Sequence, residues 1–331
     1  MSEVNTLSDK KKLIPILISS AVCILMVAVA EMTGEKEIIF PEIAAIAIGT
    51  LAAPTQSWNA SKLRMITTLT IAALMGMAVV RFVPFPQYIQ IPIALTASMA
   101  LITLSRTNFL PAISACLLPI LLVTRSFLYP VSVVVTTSLI LLAQHILEET
   151  GLRGKHIFIP IKPDKALLKL RIAQVIISSL ICFLPTANGR PFLVAPPLLV
   201  AFAEMTAPNS RIKKNMRTAT IMMALCAFLG CSSRLLLTEI LGLPLALAAA
   251  ITCCAVMFAV DRTAFYFPPC GAIAVLPFVI PLNSLLIFPF AVTLGFLAFA
   301  TLTMLTSDHV IKEQTETAHE EQEHAEALNH I

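Results

Sequence analysis

Charged side chains are scarce in this chain. Asp, Glu, Lys and Arg make up 13% of its 331 residues, whereas an ordinary soluble domain carries roughly 25%. Hydrophobic residues account for 57%, and the mean hydropathy is +0.87. This balance excludes an ordinary soluble domain and predicts an all-α, polytopic membrane protein. The net charge of +4 falls mostly in loops, where it indicates orientation in the bilayer, and we expect no nucleic-acid partner.

Recognisable catalytic and metal-binding motifs are also missing. The sequence has no glycine-rich phosphate loop followed by Lys-Ser or Lys-Thr, no HExxH and no CxxC. These absences argue against an ATP-driven pump and an intramembrane protease. The eight cysteines lie in apolar stretches without metal-ligand spacing, so we interpret them as packed small side chains. We therefore predict a protein that is not an enzyme and has no catalytic residue, no cofactor and no metal.

The chain contains an internal repeat. Four landmarks occur in the same order in both halves, about 154 to 158 residues apart. They are Ala53-Pro54, Arg106-Thr107, Pro111 and Leu118-Pro119 in the first half, and Ala207-Pro208, Arg262-Thr263, Pro269 and Leu276-Pro277 in the second. Tandem repeats of hydrophobic segments are a common plan for membrane transporters. The pattern therefore predicts two tandem, parallel repeats of about six transmembrane or half helices each.

Each half contains six apolar segments that are candidates to cross a bilayer as helices. They lie near residues 13–33, 39–54, 63–83, 89–105, 109–124 and 129–147, and near residues 167–187, 192–207, 217–237, 243–260, 267–281 and 284–306. The second and fifth segments of each half are interrupted by proline, which removes a backbone donor and clashes with the preceding turn. We expect these four to be kinked or half-length helices that are covered by protein or line a watery cavity.

Loop charges predict the domain organisation and the topology. We expect a first membrane repeat over 1–148, a basic cytoplasmic linker over 149–166, a second membrane repeat over 167–306 and an acidic cytoplasmic tail over 307–331. If all six segments cross in each half, the basic clusters fall on one face together with both termini, as the positive-inside rule requires. The protein would then be a multi-pass protein of the cell inner or plasma membrane with both termini in the cytoplasm. A re-entrant fifth segment would instead place the linker outside.

The repeated Arg-Thr pairs stand just before the proline-marked fifth segments and are the leading candidates for an anion site. A charge within the bilayer costs on the order of several kcal/mol, so intramembrane arginines are candidates for function. A guanidinium, a hydroxyl and the N-terminus of a helix that begins at proline together favour an anion. The predicted substrate-binding residues are Arg106, Thr107, Pro111, Ser114, Arg262, Thr263, Pro268, Pro269 and Gly271. Alternatively, both arginines simply extend to the cytoplasmic interface and cap the preceding span.

Three carboxylates are candidates for coupling transport to protons. Glu42 and Glu204 lie in the two interrupted second segments, and Asp261 stands beside Arg262. An acid within the bilayer favours a proton-relay role, while the alternative is an interfacial or arginine-paired acid. The single tryptophan, Trp58, is predicted to anchor the chain at a membrane interface.

In the second half, the segment DRTAFYFPPCGAIAVLP resembles the signature of the HPP family of integral membrane proteins, named for a His-Pro-Pro followed by small residues. The preceding segment VAFAEMTAPNSRIKKNMRTATIMMALCAFLG is similar to that family's alanine-proline loop and following helix. Phe267 replaces the histidine, Pro268 and Pro269 are kept, and the first half keeps only Pro111. The resemblance implies a multispan membrane protein built as a fused pair of HPP-like units. Family members in plant plastids and cyanobacteria are associated with nitrite transport.

These observations lead to the hypothesis of a secondary transporter or channel for a small, nitrite-like inorganic or organic anion, bound between the two repeats. Two other classes stay open at this point. One is a membrane enzyme that acts on a lipid or isoprenoid, and the other is a non-catalytic scaffold or sensor that uses the linker and the tail. The lipid bilayer is the other expected partner, and a homo-oligomer is left open.

Overall fold

The computed structural model describes residues 2–208 and 210–305, with side chains from Leu13 onward. All regular secondary structure in these ranges is helical. Eight of the helices described are long and apolar enough to cross a membrane. The protein is thus an all-α, multi-pass membrane protein. The predicted acidic tail, 307–331, lies outside the described residues.

The helices follow one another with short connections. In chain order they are α1 (Ser2–Thr33), α2 (Glu42–Ala47), α3 (Lys62–Phe82), α4 (Gln87–Leu104), α5 (Pro111–Leu122), α6 (Leu128–Glu149), α7 (Lys165–Ala187), α8 (Pro196–Met205), α9 (Arg211–Lys214), α10 (Met216–Ser233), α11 (Leu245–Thr263), α12 (Pro268–Val275) and α13 (Phe288–Leu305). Turns of π-helix extend α2 over Ile48–Ala52 and α10 over Arg234–Ile240. The predicted segment 217–237 is therefore longer than expected, whereas 284–306 is shorter because its helix begins at Phe288.

The four proline-marked segments form the short helices α2, α5, α8 and α12, as predicted. Three of them begin at a proline, namely Pro111, Pro196 and Pro268. The first N–H of a helix has no partner within the helix, so proline is tolerated there. Almost every residue of these four helices is buried. Such short, interrupted helices can lie at membrane depth because protein covers them, and the longer helices surround them.

Beyond Lys169, helix α7 has most of its polar side chains on the inside. Its buried residues recur every three or four positions and therefore share one face; they are Arg171, Gln174, Ser178, Cys182 and Thr186. The opposite face is exposed and apolar, with Leu168, Ile172, Ile176, Leu180 and Leu184. This reversal of the soluble pattern is expected where lipid is the solvent. The polar stripe of α7 is buried where the helix packs on α4 and α8.

Helices of the two halves pack on one another in four pairs. Helix α1 packs on α11 and α7 on α4, while α2 packs on α12 and α8 on α5. Within each half, a glycine allows an unusually close approach. A Cβ added at Gly76 of α3 would lie 2.0 Å from the carbonyl oxygen of Cys116, and one at Gly230 of α10 would lie 2.2 Å from that of Ala274. Small residues let membrane helices approach this closely.

The connection between α6 and α7 lies along one end of the first half. Arg153 donates to two backbone carbonyls at the end of the π-helical turn that follows α2, at 2.8 and 2.6 Å. The Asn59 side chain exchanges two hydrogen bonds with the backbone of Ile159. The backbone N–H of Ile161 donates to the carbonyl of Arg106 at 2.9 Å. The linker is therefore fixed to the first half before α7 begins the second.

Candidate functional site

A cavity of about 550 Å³ lies between the two halves. Both alanine-proline loops and both segments that lead into α5 and α12 contribute to its wall, with Ala53, Pro54, Ala207, Pro208, Asn108, Leu110, Tyr266 and Pro268. The first turns of α7, the last turn of α8 and the start of α9 also line it, the last with Ser210, Arg211 and Ile212. Landmarks that recur along the sequence therefore surround one space, which is called the central cavity below.

Arg171 brings a buried positive charge to the central cavity. The residue is 7% exposed and lines the cavity wall. Its Nη1 donates to the Gln174 side-chain oxygen at 3.2 Å and to the Met99 sulfur at 3.7 Å. Its Nε is buried without a partner, and among the described residues no carboxylate forms an ion pair with it. Because a buried cation without a counter-charge is costly, this arrangement favours an anion in the cavity.

Glu204 faces the same cavity from the last turn of α8. Its Oε1 accepts a hydrogen bond of 3.0 Å from the indole N–H of Trp58, which comes from the other half. Trp58 is 2% exposed and packs edge-on against Phe109, with 5.3 Å between ring centroids. The prediction that Trp58 anchors the chain at a membrane interface is therefore wrong. Its ring is buried between the halves because its N–H finds an acceptor there.

Gln174 links Arg171 to the end of α8. Its amide nitrogen donates to the hydroxyl of Thr206 at 2.9 Å and to the carbonyl of Ala203 at 3.2 Å. Its amide oxygen is left to accept from the Arg171 guanidinium. The amide thus ties the guanidinium to the end of α8, where Glu204 follows Ala203 in the chain.

The first Arg-Thr pair lies beside the central cavity rather than in its wall. Arg106 is exposed, and its backbone is left-handed with φ of 53°. Thr107 is buried, its hydroxyl pairs with Ser105 at 2.9 Å, and it accepts from the N–H of Phe109 at 3.4 Å. These contacts shape the turn into α5, where Pro111 is buried at the first helical position. Arg106 is two residues before Asn108, which does line the cavity.

The second Arg-Thr pair is more exposed than the first. The Arg262 guanidinium lies 4.7 Å from the ring centroid of Phe258 on the outer side of α11. Thr263 is exposed and donates back to the carbonyl of Ala259 at 2.8 Å. Asp261 is half-buried and forms no ion pair within the described residues. Neither Arg262 nor Thr263 lines the central cavity.

The proline-marked part of the same motif lies partly at the central cavity and partly at the contact between α12 and α2. Pro268 lines the central cavity, while Pro269 and Gly271 are buried in α12. A Cβ added at Gly271 would lie 2.6 Å from the Ile48 side chain and 3.1 Å from the Ala44 carbonyl. Gly271 therefore permits the close contact between α12 and α2, which joins the two halves.

Two further predicted residues meet away from the central cavity. Glu42 at the start of α2 is 1% exposed, and its Oε1 accepts a hydrogen bond from the hydroxyl of Ser114 in α5. Its Oε2 is buried without a hydrogen-bond partner, and among the described residues no basic side chain forms an ion pair with it. The structure thus brings one predicted coupling residue and one predicted substrate residue together, but not at the cavity wall.

Arg171 and its network were missed by the sequence predictions. The arginine stands at the end of a basic stretch that begins in the linker, which hides it among interfacial charges. The available signal is the spacing of Arg171, Gln174 and Ser178, which places three polar side chains on one face of an otherwise apolar helix. A membrane helix with such a face is expected to turn it toward protein.

The described residues contain no cluster of three or more His, Cys, Asp or Glu side chains that could hold a metal ion. Comparison with protein-family models, with curated proteins and with solved structures gave no match to this chain.

Proposed function

We propose that this protein is a secondary transporter or channel for a small anion, which binds in the central cavity. The observation that carries the proposal is the guanidinium of Arg171, which is buried at the cavity wall and has no carboxylate partner among the described residues. A cavity of about 550 Å³ has room for a small inorganic or organic anion together with water. Arg171 would hold the charge, and Glu204 would face it as the candidate coupling acid.

We further propose that the two halves are parallel repeats related by a pseudo-two-fold axis, in the cell inner or plasma membrane with both termini in the cytoplasm. The packing supports a two-fold relation, because α1 on α11 corresponds to α7 on α4, and α2 on α12 corresponds to α8 on α5. Gly76 and Gly230 make matching close contacts with the fifth helix of their own half. Alternating access would rock one half against the other around the cavity.

The Arg-Thr pairs take a supporting role in this proposal. Exposed Arg106 and Arg262 would raise the local concentration of anions near the cavity, and the turns at Thr107 and Thr263 would hold the segments that lead into α5 and α12. Pro111, Pro268, Pro269 and Gly271 would shape the broken helices. Membership of the HPP family is likewise a proposal, supported by the segment from Asp261 to Pro277.

The test is anion uptake by purified protein in proteoliposomes, with nitrite, nitrate, formate and chloride and with or without a pH gradient. We expect saturable uptake in the wild type. Arg171→Gln should raise the half-saturating concentration by about tenfold or more, because a charge-assisted hydrogen bond contributes about 1.5–3 kcal/mol. Lys169→Gln is the matched control, since it removes a charge two residues away on the exposed face of α7. It should leave uptake within about twofold of the wild type.

The double variant Arg106→Gln/Arg262→Gln separates the two possible locations of the site. If the two arginines only steer anions, their loss should lower uptake at low anion concentrations and leave the maximal rate unchanged. If they bind the anion, their loss should abolish saturation. If the double variant removes uptake and Arg171→Gln does not, the anion binds at the Arg-Thr pairs and the assignment to Arg171 fails. If folded wild-type protein takes up none of the four anions, the transport proposal fails and the lipid-enzyme and scaffold hypotheses regain weight.

A further inference from the structure

A second recess of about 930 Å³ runs along α7 next to the central cavity. It lies between α7 and the region formed by α8, the following loop and α9. Its floor is apolar and includes Leu170, Ala173, Ile177, Phe202 and Met205. It is called the lateral groove below.

One end of the lateral groove is basic. Lys162, Lys213 and Lys214 line it together with Asp164 and Ser210. Asp164 is already engaged, because its carboxylate accepts from the N–H of Leu167 and caps α7 at 2.7 Å. Among the described residues that line this end, three lysines and one aspartate give a formal charge of +2. The groove therefore combines an apolar floor with a cationic rim.

The dimensions of the groove match one leaflet of a bilayer. The basic rim lies at the start of α7, and Ile177 lies 12 residues beyond Lys165, which is about 18 Å along a helix. One leaflet contributes about half of the roughly 30 Å hydrocarbon core. A chain with its head at the lysines would thus extend along the apolar floor to about the bilayer midplane.

We propose that the lateral groove binds one anionic phospholipid, with its phosphate among Lys162, Lys213 and Lys214 and an acyl chain along α7. The charge of the rim selects an anionic headgroup, since each basic residue near a membrane surface attracts anionic lipid. The apolar floor requires an acyl chain, which a free phosphate does not have. A bilayer supplies such a ligand from the side, and the exposed position of Ala173 on α7 leaves that side open.

The proposal is independent of transport, although the groove and the central cavity share a wall. Leu167, Leu170 and Gln174 of α7 line both spaces. A lipid in the groove would therefore pack against the helix that carries Arg171. The lipid would stabilise the position of α7, and it would not determine which anion binds in the cavity. Failure of the uptake experiment would therefore not argue against the lipid site.

The test is native mass spectrometry of the purified full chain with added phosphatidylglycerol or phosphatidylcholine. We expect one tightly bound phosphatidylglycerol per chain and weaker binding of phosphatidylcholine. Lys162→Gln/Lys214→Gln should weaken phosphatidylglycerol binding about tenfold or more, because each lysine is worth on the order of a factor of five. The matched control is Lys165→Gln/Lys169→Gln, which removes two charges at the same end of α7 from residues outside the groove. The control should bind within about twofold of the wild type.

A second pair of variants probes the acyl chain. Ala173→Trp should fill the floor of the groove and reduce binding of both lipids, while Ile172→Trp places the same ring on the neighbouring exposed residue outside the groove and should not. The proposal is overturned if the two pairs of lysine variants lose phosphatidylglycerol binding equally, or if the two lipids bind equally well. It is also overturned if millimolar inorganic phosphate displaces the bound phosphatidylglycerol and Ala173→Trp leaves lipid binding unchanged. Thermal unfolding of every variant confirms that the compared proteins are folded.

Discussion

At the scale of single residues, Glu42 has the most demanding surroundings of the described carboxylates. It is buried, one oxygen accepts from Ser114, and the other has no hydrogen-bond partner among the described residues. A buried polar group without a hydrogen bond costs about 1–3 kcal/mol, and an isolated charge costs far more. The contact with Ser114 therefore matters more here than a similar contact at the surface would.

We predict that Glu42→Gln keeps the protein folded with little change in stability, because glutamine has the same shape and can still accept from Ser114. Glu42→Ala should lower the free energy of unfolding by about 1–3 kcal/mol, since it leaves a cavity and the Ser114 hydroxyl without its acceptor. Ser114→Ala should also destabilise, by leaving the carboxyl of Glu42 without a donor. Thermal unfolding in detergent measures all three, and a Gln variant as unstable as the Ala variant would show that the negative charge itself is needed.

At the scale of helices, the close approach at Gly76 and Gly230 should limit which side chains α3 and α10 tolerate. An added Cβ would meet backbone carbonyl oxygens, which cannot rotate away as a flexible side chain can. Alanine is otherwise favoured over glycine in a helix interior by about 1 kcal/mol. The clash must exceed that gain before a loss of stability appears.

We predict that Gly76→Ala and Gly230→Ala each lower the unfolding temperature, with a net cost of about 1–3 kcal/mol. Gly154→Ala in the linker is the control, because a Cβ there meets no atom within 4 Å. The measurement is the midpoint of thermal unfolding of each variant in the same detergent. A variant of α3 or α10 that is as stable as wild type would mean that the helices can separate without penalty.

The short helices could be predicted from sequence, whereas the partners that meet in the charge network at the cavity could not. Proline has a local effect, because it lacks the N–H that a helix interior uses, and this favours helix starts at Pro111 and Pro268. The position of Arg171 depends instead on which face of α7 is covered, and that is decided by packing against α4 and α8. Trp58 shows the same limit, since its acceptor Glu204 is 146 residues away along the chain.

At the scale of the whole molecule, the pairing of helices across the halves fixes which cysteines are neighbours. Cys23 in α1 and Cys253 in α11 are neighbouring side chains and belong to different halves. Cys226 in α10 and Cys270 in α12 form a similar pair within the second half. All four are buried. A disulfide in the first pair would join the two halves, whereas one in the second pair would not, so the second pair is the control.

We predict that oxidation of the intact protein with iodine joins the two halves through Cys23 and Cys253. A protease site inserted after Gly154, where the linker has open space, would then cut the chain between the halves. The two fragments should stay together on a non-reducing gel and separate after reduction. Cys23→Ser should abolish the link, whereas Cys226→Ser should leave it intact, because its partner lies on the same fragment. If the fragments separate in the oxidised wild type, the packing of α1 on α11 is contradicted. The two-fold relation between the halves then loses the support that this pairing gives it.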